Sequence, residues 1–323
     1  MANPVANLTP EEIAASWKNK FQFTKEDKEA GTPGLRSPQL GALHAIFSHL
    51  EMGEEERAII VMPTGTGKTE TMLSFLVANQ CVRTLVLVPS DALRTQIADK
   101  YASLGVLKTA KVVDKDALLP KVMKIKGKMS KAEWQKAVDE NNVLVTTMAS
   151  IAQVDDSIKT LLKTKIDYLV VDEAHHSQAS TWAAMISTFP CSKTYLFTAT
   201  PFRNDGKKLD GRIIFNYSLR KAQQEGYYQP IEFYRVFKYN REDGDIEIAN
   251  KAVEILRRDL TAGYEHLLMA RCKDTSRAEE IFKIYAKYEE FNPILIHSKR
   301  SAQKRILEDW KIQSGLTPCA SLD

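Results

Sequence analysis

Residues 57–70 read RAIIVMPTGTGKTE, and no single secondary structure accommodates all of them. The unbroken apolar run 58–62 has the look of a strand buried on both faces, the two glycines end it, and from 68 to about 79 the pattern is helical. A strand that turns through glycine into a helix aims successive backbone N–H groups and a helix N-terminus at one point, which makes a phosphate site. Thr64, Gly65, Thr66 and Gly67 form the turn, and the two glycines let the backbone approach a ligand closely. Lys68 supplies a point charge for the β- and γ-phosphates of a nucleotide, and the hydroxyl of Thr69 suits a magnesium ion. The usual P-loop spacing opens on glycine, whereas this one opens on Met62.

The surrounding pattern repeats the same grammar. Strands are expected at AIIVM, TLVLV (84–88), AKVV (110–113), NVLVTT (142–147), DYLVV (167–171) and TYLFT (194–198), with helices at 68–79 and 91–103. The runs are short, continuous and rich in Val, Leu and Ile, and their alternation with helices predicts a doubly wound α/β domain on a parallel sheet. Ahead of it, Thr9 with Glu12 three residues on and Pro10 between them starts a short helix. Ser37-Pro38 opens a second, whose apolar positions Leu40, Leu43, Ile46, Phe47 and Leu50 recur at helical spacing before Gly53. At 323 residues the chain has room for two domains at roughly 100 to 200 residues each. EGYYQP (225–230) reads as the connection between them. Beyond it, strands are expected at IEFYRVFKY (231–239), HLLMA (266–270) and PILIHS (293–298), with helices near 248–262, 275–288 and from about 302.

DYLVVDEAHH (167–176) supplies the partner of the glycine turn. An apolar strand that delivers Asp172 and Glu173 at its carboxyl end puts two carboxylates where open α/β sheets keep their ligands. There Asp172 would hold magnesium, and Glu173 would orient or deprotonate an attacking water.

MPTGTGKT, VVDEAHH and FTATPF, in this order, resemble motifs I, II and III of superfamily 2 helicases, in the DEAH-type group that includes RadD-like proteins and the helicase subunits of type I and type III restriction enzymes. The resemblance runs over about residues 33–310 and is strongest from 58 to 203. It implies a RecA-like P-loop NTPase lobe over residues 1–228, together with the N-terminal helices, and an incomplete second RecA-like lobe over 229–323. It implies ATP and Mg2+ as cofactors, with Lys68, Asp172 and Glu173 catalytic, and Thr69 and Asp172 on the metal. LRSPQ resembles the motif ahead of the first strand, so that Gln39 would read the adenine edge with Arg36 nearby. His175 and the TAT of Thr198, Ala199 and Thr200 would couple nucleotide state to the nucleic-acid surface, while His176 reads as structural. LVLVPSDALRTQ resembles motif Ia, giving strand contacts to Pro89, Ser90 and Arg94; VLVTTMASI gives them to Thr146, Thr147 and Ser150. HLLMARCKDTSRAEEI and PILIHSKRS resemble the opening of the second lobe, with Arg271, His297 and Ser298 at family positions and His297 on the nucleic acid. The T-x-G-x-D strand motif and the Q-x-x-G-R-x-x-R helix that the family places later are not among these residues. An arginine finger typically contributes about 10³ to 10⁵ in rate, or roughly 4 to 7 kcal/mol, so slow turnover is expected of this chain alone.

The resemblance implies an ATP-dependent nucleic-acid helicase or translocase, with DNA favoured over RNA because the look-alikes act on DNA. Alternatives are a nucleotide-dependent binding or regulatory module, or a helicase subunit working with a nuclease or methyltransferase. Net charge +4 and a pI near 8.7 permit a polyanionic partner without demanding one. The densest basic stretch, KVMKIKGKMSKAEWQK (121–136), is either a solvated surface or a phosphate-contacting one. Four well-separated cysteines without CxxC spacing are expected to be reduced and structural. No apolar stretch approaches the roughly 20 residues of a membrane span, and the N-terminus lacks a secretory pattern, so a cytoplasmic location is expected.

Overall fold

The apolar runs become one parallel sheet in a computed structural model that describes residues 8–176, 180–202, 206–229 and 232–296, the side chains of 180–183 apart. In chain order its strands are β1 (Ala58–Val61), β2 (Thr84–Val88), β3 (Val122–Lys124), β4 (Val143–Thr147), β5 (Tyr168–Val171), β6 (Thr194–Thr198) and β7 (Arg212–Asn216). They lie in the order β3-β4-β2-β5-β6-β1-β7, every pair parallel. Around them run α1 (Pro10–Ser16), α2 (Ser37–Glu51), α3 (Lys68–Ala78), α4 (Asp91–Ser103), α5 (Lys131–Glu140), α6 (Met148–Ile151), α7 (Asp156–Lys165), α8 (Ser180–Ser187) and α9 (Leu219–Gln224).

Helices on both faces explain why β1, β2, β4 and β6 are buried at every position. Alternate residues of each strand feed separate cores. Ile60, Val86 and Val170 pack with Leu43, Ile46, Phe75 and Tyr101 of α2, α3 and α4. Ile59, Leu87 and Val171 pack with Trp134, Leu162 and Met185 of α5, α7 and α8. The architecture is α/β, a seven-stranded parallel sheet flanked by helices. The α1 start is as the sequence indicates, with the Thr9 hydroxyl accepting from the Glu12 N–H and the Glu12 carboxylate accepting from the Thr9 N–H.

In the first unit one expected strand is corrected and two unexpected ones appear. AKVV (110–113) is a turn: Val112 and Val113 are buried, but both their N–H groups go to the Leu107 carbonyl, and only an isolated bridge joins Val113 to Phe21. Burial in a turn supplied the apolar signal there. The strand is instead β3, inside the lysine-rich stretch, as a half-buried edge. Flanking lysines suit an exposed sheet edge. At the other side β7 pairs with β1 and was not expected at all.

The chain divides into Met1–Pro230 and Ile231–Asp323. In the second unit the described residues form α10 (Arg241–Thr261), capped by Asn240, and α11 (Thr275–Tyr285), capped by Asp274. The strands expected at 231–239, 266–270 and 293–298 are not present among the described residues, and Phe233, Phe237 and Tyr239 are exposed. An apolar run becomes a strand only when a ladder partner takes its backbone groups, and these runs have none there. Cys81, Cys191 and Cys272 are free thiols, and burial pushes the Cys81 thiol up to about 12. Cys319 lies outside the described residues. No described helix is long and apolar enough to cross a membrane.

Candidate functional site

In a parallel sheet every strand delivers its following loop to the same edge. The order β4-β2-β5-β6-β1 therefore puts all five motif loops in one row: TTMAS after β4, PSDALR after β2, DEAH after β5, TAT after β6 and the glycine turn after β1. Backbone bonds lock the row, the Met62 N–H to the Thr198 carbonyl at 2.9 Å and the Asp172 N–H to the Leu87 carbonyl at 2.8 Å.

The β1 turn is held in an unusual conformation. Gly65 and Gly67 have φ of +82° and +96°, and a Cβ built on Gly67 would lie 2.0 Å from Gln39 Nε2. Glycine at 67 thus serves two purposes, the left-handed backbone and the close passage of Gln39. The Thr66 hydroxyl donates inward to the Pro63 carbonyl at 2.6 Å, while Thr64 is exposed. Arg36 and Gln39 lie at the start of α2 against this turn: the Arg36 N–H donates to Gln39 Oε1 at 2.7 Å, and Arg36 Nη1 donates to the Gly65 carbonyl at 3.1 Å. Lys68 and Thr69 open α3; Lys68 is buried and Thr69 half-buried.

Lys68 Nζ reaches Glu173 Oε1 at 3.0 Å and the Met62 carbonyl at 3.4 Å. Glu173 has φ of +49°, a backbone that a non-glycine residue adopts only when its surroundings impose it. Its other oxygen, Oε2, is buried with no hydrogen bond and lies 3.4 Å from His175 Nδ1. That nitrogen is 3.0 Å from Thr198 Oγ1. The Thr198 hydroxyl gives its proton to the Thr200 carbonyl at 2.7 Å and accepts the Thr200 N–H at 3.2 Å. Since that proton is committed, the imidazole is the donor through Nδ1, which also suits the nearby carboxylate. Burial, and then the adjacent His176, hold His175 below its ordinary value and so neutral. His176 is exposed, with its ring 4.2 Å from that of His175.

Asp172 is the most perturbed group in the row. Burial and then the Glu173 charge push its carboxyl up to about 7, against the lowering effect of Lys68. The Glu173 N–H at 3.0 Å is a single donor to Oδ1. The described residues contain no cluster of three or more His, Cys, Asp or Glu able to hold a metal by themselves.

The other half of the row is built differently. Pro89 and Ser90 are half-buried, and the Ser90 hydroxyl caps α4 by accepting the Leu93 N–H at 3.4 Å. Arg94 is buried, pairs with Asp91 at 2.8 Å through Nη1, and leaves Nε without a hydrogen bond. Thr146 is fully buried with an unbonded hydroxyl; Thr147 caps α6, its Oγ1 2.8 Å from that of Ser150. Ala199 and Thr200 follow β6 at the surface, and His297 lies outside the described residues. Of the basic stretch, Lys121 donates to the Leu8 carbonyl at 2.6 Å and Lys124 pairs with Asp99 at 2.6 Å. Lys126, Lys128 and Lys131 are exposed, in and just after the loop that follows β3.

Sequence reading missed two residues of the β1 turn's surroundings. The Tyr228 hydroxyl donates to the Thr64 carbonyl, and Tyr227 donates to Glu26 at 3.0 Å, accepts the Ser37 N–H at 3.3 Å and lies under the Arg36 guanidinium at 5.5 Å. The only signal was a pair of tyrosines in a segment that reads as a connection.

Residues 32–203 match the family described as type III restriction enzyme, res subunit, over more than half of the chain, and the chain belongs to that helicase family. It is 28% identical over 173 residues to the DNA 3'-5' translocase XPB2 of Sulfurisphaera tokodaii, covering 52% of this chain and 34% of that protein. Among solved structures, the type ISP restriction-modification enzyme LlaGI, a nuclease-deletion mutant in complex with a DNA substrate mimic, aligns over 70% of this chain and 22% of its own, with TM-score 0.41 and 18% identity. The UvsW helicase of bacteriophage T4 aligns over 60% and 61%, with TM-score 0.38 and 17% identity. The chain spans about a third or less of the length of the curated relatives it matches.

Proposed function

We propose that this helicase-family chain binds ATP with magnesium at the β1–β6–β5 end of the row and a DNA strand at the β2–β4–β3 end, as the ATP-binding part of a DEAH-type helicase or translocase. The carrying observation is the joined set Lys68, Glu173, His175 and Thr198, assembled from three adjacent strand ends. The residues fit the nucleotide. The glycine turn carries no side chain at 65 or 67, where Tyr228 and Gln39 pass close to the backbone, Glu173 Oε2 is buried without a hydrogen bond, and Asp172 is a carboxylate raised by burial and then by the Glu173 charge beside it. A magnesium ion arriving on phosphates needs only one or two protein carboxylates, consistent with the lack of a larger cluster among the described residues. When bound, that ion neutralises charge building on the transferred phosphoryl group.

In this reading Thr69 and Asp172 hold the ion, and Lys68 leaves Glu173 to meet the terminal phosphate. Glu173, freed, accepts a proton from water. His175 then carries the carboxylate's position to Thr198 and Thr200, and so toward the strand side. Gln39 and Arg36 read the base. On the strand side, capped helix starts present backbone N–H groups to phosphates, and Lys126, Lys128 and Lys131 extend the track by one strand. Thr146 and Arg94 are too buried to act by simple surface contact; they shape the loops. DNA is favoured because the translocase relative is named for DNA. Residues 229–323 are proposed as part of the second lobe, with His297 on the nucleic acid.

A steady-state ATPase assay with and without single- and double-stranded DNA tests the reading. Hydrolysis stimulated by DNA and abolished by Glu173→Gln supports it. ATP binding without turnover under any condition favours the regulatory-module alternative for these 323 residues, which carry the binding half of the site but not the arginine motif the resemblance implies. Co-purification with a nuclease or methyltransferase would place the chain in a restriction or defence complex.

A further inference from the structure

The chain leaves β7 beside the glycine turn because β7 pairs with β1, and the Tyr217 N–H bonds the Val61 carbonyl at 2.9 Å. It then makes the short helix α9, reverses at Gly226 with φ of +71°, and sends Tyr227 and Tyr228 back. The reversal is fixed by the N–H groups of both tyrosines, which donate to the Ala222 carbonyl at 2.8 and 3.2 Å. Tyr217 secures it further by donating to Glu225 at 2.8 Å.

Two consecutive carbonyls of the turn, Thr64 and Gly65, are thereby held from outside, one by Tyr228 and the other by Arg36. A loop that binds phosphate with its N–H groups must keep its carbonyls turned away, so donors behind those carbonyls preorganise it. The Tyr228 ring also flanks the turn, since a Cβ on Gly65 would stand 3.5 Å from its hydroxyl. Tyr227 binds the same arrangement to α2, through the Ser37 N–H and the Arg36 guanidinium. Tyr228 lies two residues before the first unit ends at Pro230.

We propose that Tyr227 and Tyr228 are positioning residues that tie the phosphate turn to the segment leading out of the first unit, so that nucleotide affinity and the conformation of that segment depend on each other. The proposal rests on the nucleotide reading above. Linkage makes the dependence reciprocal: a segment pulled away from the turn weakens ATP binding, and bound ATP holds the segment in place.

The test uses the full chain and Tyr228→Phe, which removes the hydroxyl and keeps the ring. Loss of one such hydrogen bond is expected to raise the ATP–magnesium Kd by roughly 3- to 10-fold, with the hydrolysis rate at saturating ATP unchanged. Hydrogen exchange at residues 222–229 should slow on adding ATP to the wild-type chain, and slow less in Tyr228→Phe. Equal Kd values and equal exchange in the two proteins overturn the proposal while leaving the nucleotide site standing. A lower Tm with unchanged Kd also overturns it, making Tyr228 merely structural. Absence of ATP binding by the wild type overturns the nucleotide reading and this inference together.

Discussion

The two halves of the carboxyl edge share one sheet but are organised by different forces. Around β1, β6 and β5, charged and polar side chains engage one another, from Lys68 through Glu173 and His175 to Thr198. Around β2 and β4 the hydroxyls of Ser90 and Thr147 serve helix starts, and Arg94 Nε and Thr146 Oγ1 stay unbonded. In the proposed function the first half would act on a small, highly charged ligand through prearranged electrostatics. The second is a shaped surface whose donors are largely backbone. The proposed nucleic-acid ligand would be gripped there by its repeating phosphates, for which shape and charge density matter more than any single side chain.

The comparison breaks most visibly at Glu173. Glu173→Gln should lower DNA-stimulated turnover by about 10² to 10⁴ while ATP still binds, as measured by steady-state hydrolysis and titration, because it removes the proposed general base and retains the shape. Lys68→Ala should weaken ATP binding by roughly 10- to 100-fold in calorimetry, the range for a hydrogen bond to a charged group; unchanged affinity would overturn the phosphate assignment. Asp172 supplies a test in the nucleotide-free chain. Its folded carboxyl is raised to about 7, while an unfolded aspartate sits near about 3.9. Between those values the folded chain holds a proton the unfolded chain has released, so stability falls as pH rises through that window. Urea unfolding at several pH values should show that slope, and Asp172→Asn should flatten it.

The strand half should respond more gently. Neutralising Lys126, Lys128 and Lys131 should make the salt dependence of DNA binding shallower, by about 0.9 in the log–log slope for each phosphate that the protein no longer neutralises. An unchanged slope would return the stretch to ordinary solvated surface. Thr147→Ala should be the smallest change, about 1 kcal/mol of stability from a lost helix cap in thermal or chemical unfolding, with ATP affinity unaltered.

What could be read from the sequence divides along physical lines. The glycine turn, the DEAH segment and the TAT segment were placed correctly because each directly follows an apolar strand, so local patterning carries their position at the sheet edge. The turn at 110–113 misled because apolar composition reports burial and not ladder pairing. The expected strands of 231–239, 266–270 and 293–298 failed among the described residues for a related reason, since pairing is supplied by other parts of a sheet. Tyr228 was illegible because its partner Thr64 is 164 residues away, and only the adjacency of β7 and β1 brings them together. Nor does a sequence disclose that Thr146 and Arg94 are buried, since a threonine or an arginine near a strand end reads as surface.

The sheet order has a bearing on how the chain comes into being. β1, which carries the phosphate turn, has β6 and β7 for neighbours, so Ala58 pairs with Tyr195 on one side and Arg212 on the other. A growing polypeptide emerging from the ribosome therefore exposes this apolar strand with both edges bare until well over a hundred further residues have been made. Such distant closure is slow and leaves the nascent strand open to wrong pairing. The proposed nucleotide site is accordingly among the last parts of the first unit to be completed, and on that reading ATP added to stalled nascent chains should protect them from proteolysis only once β7 has cleared the exit tunnel.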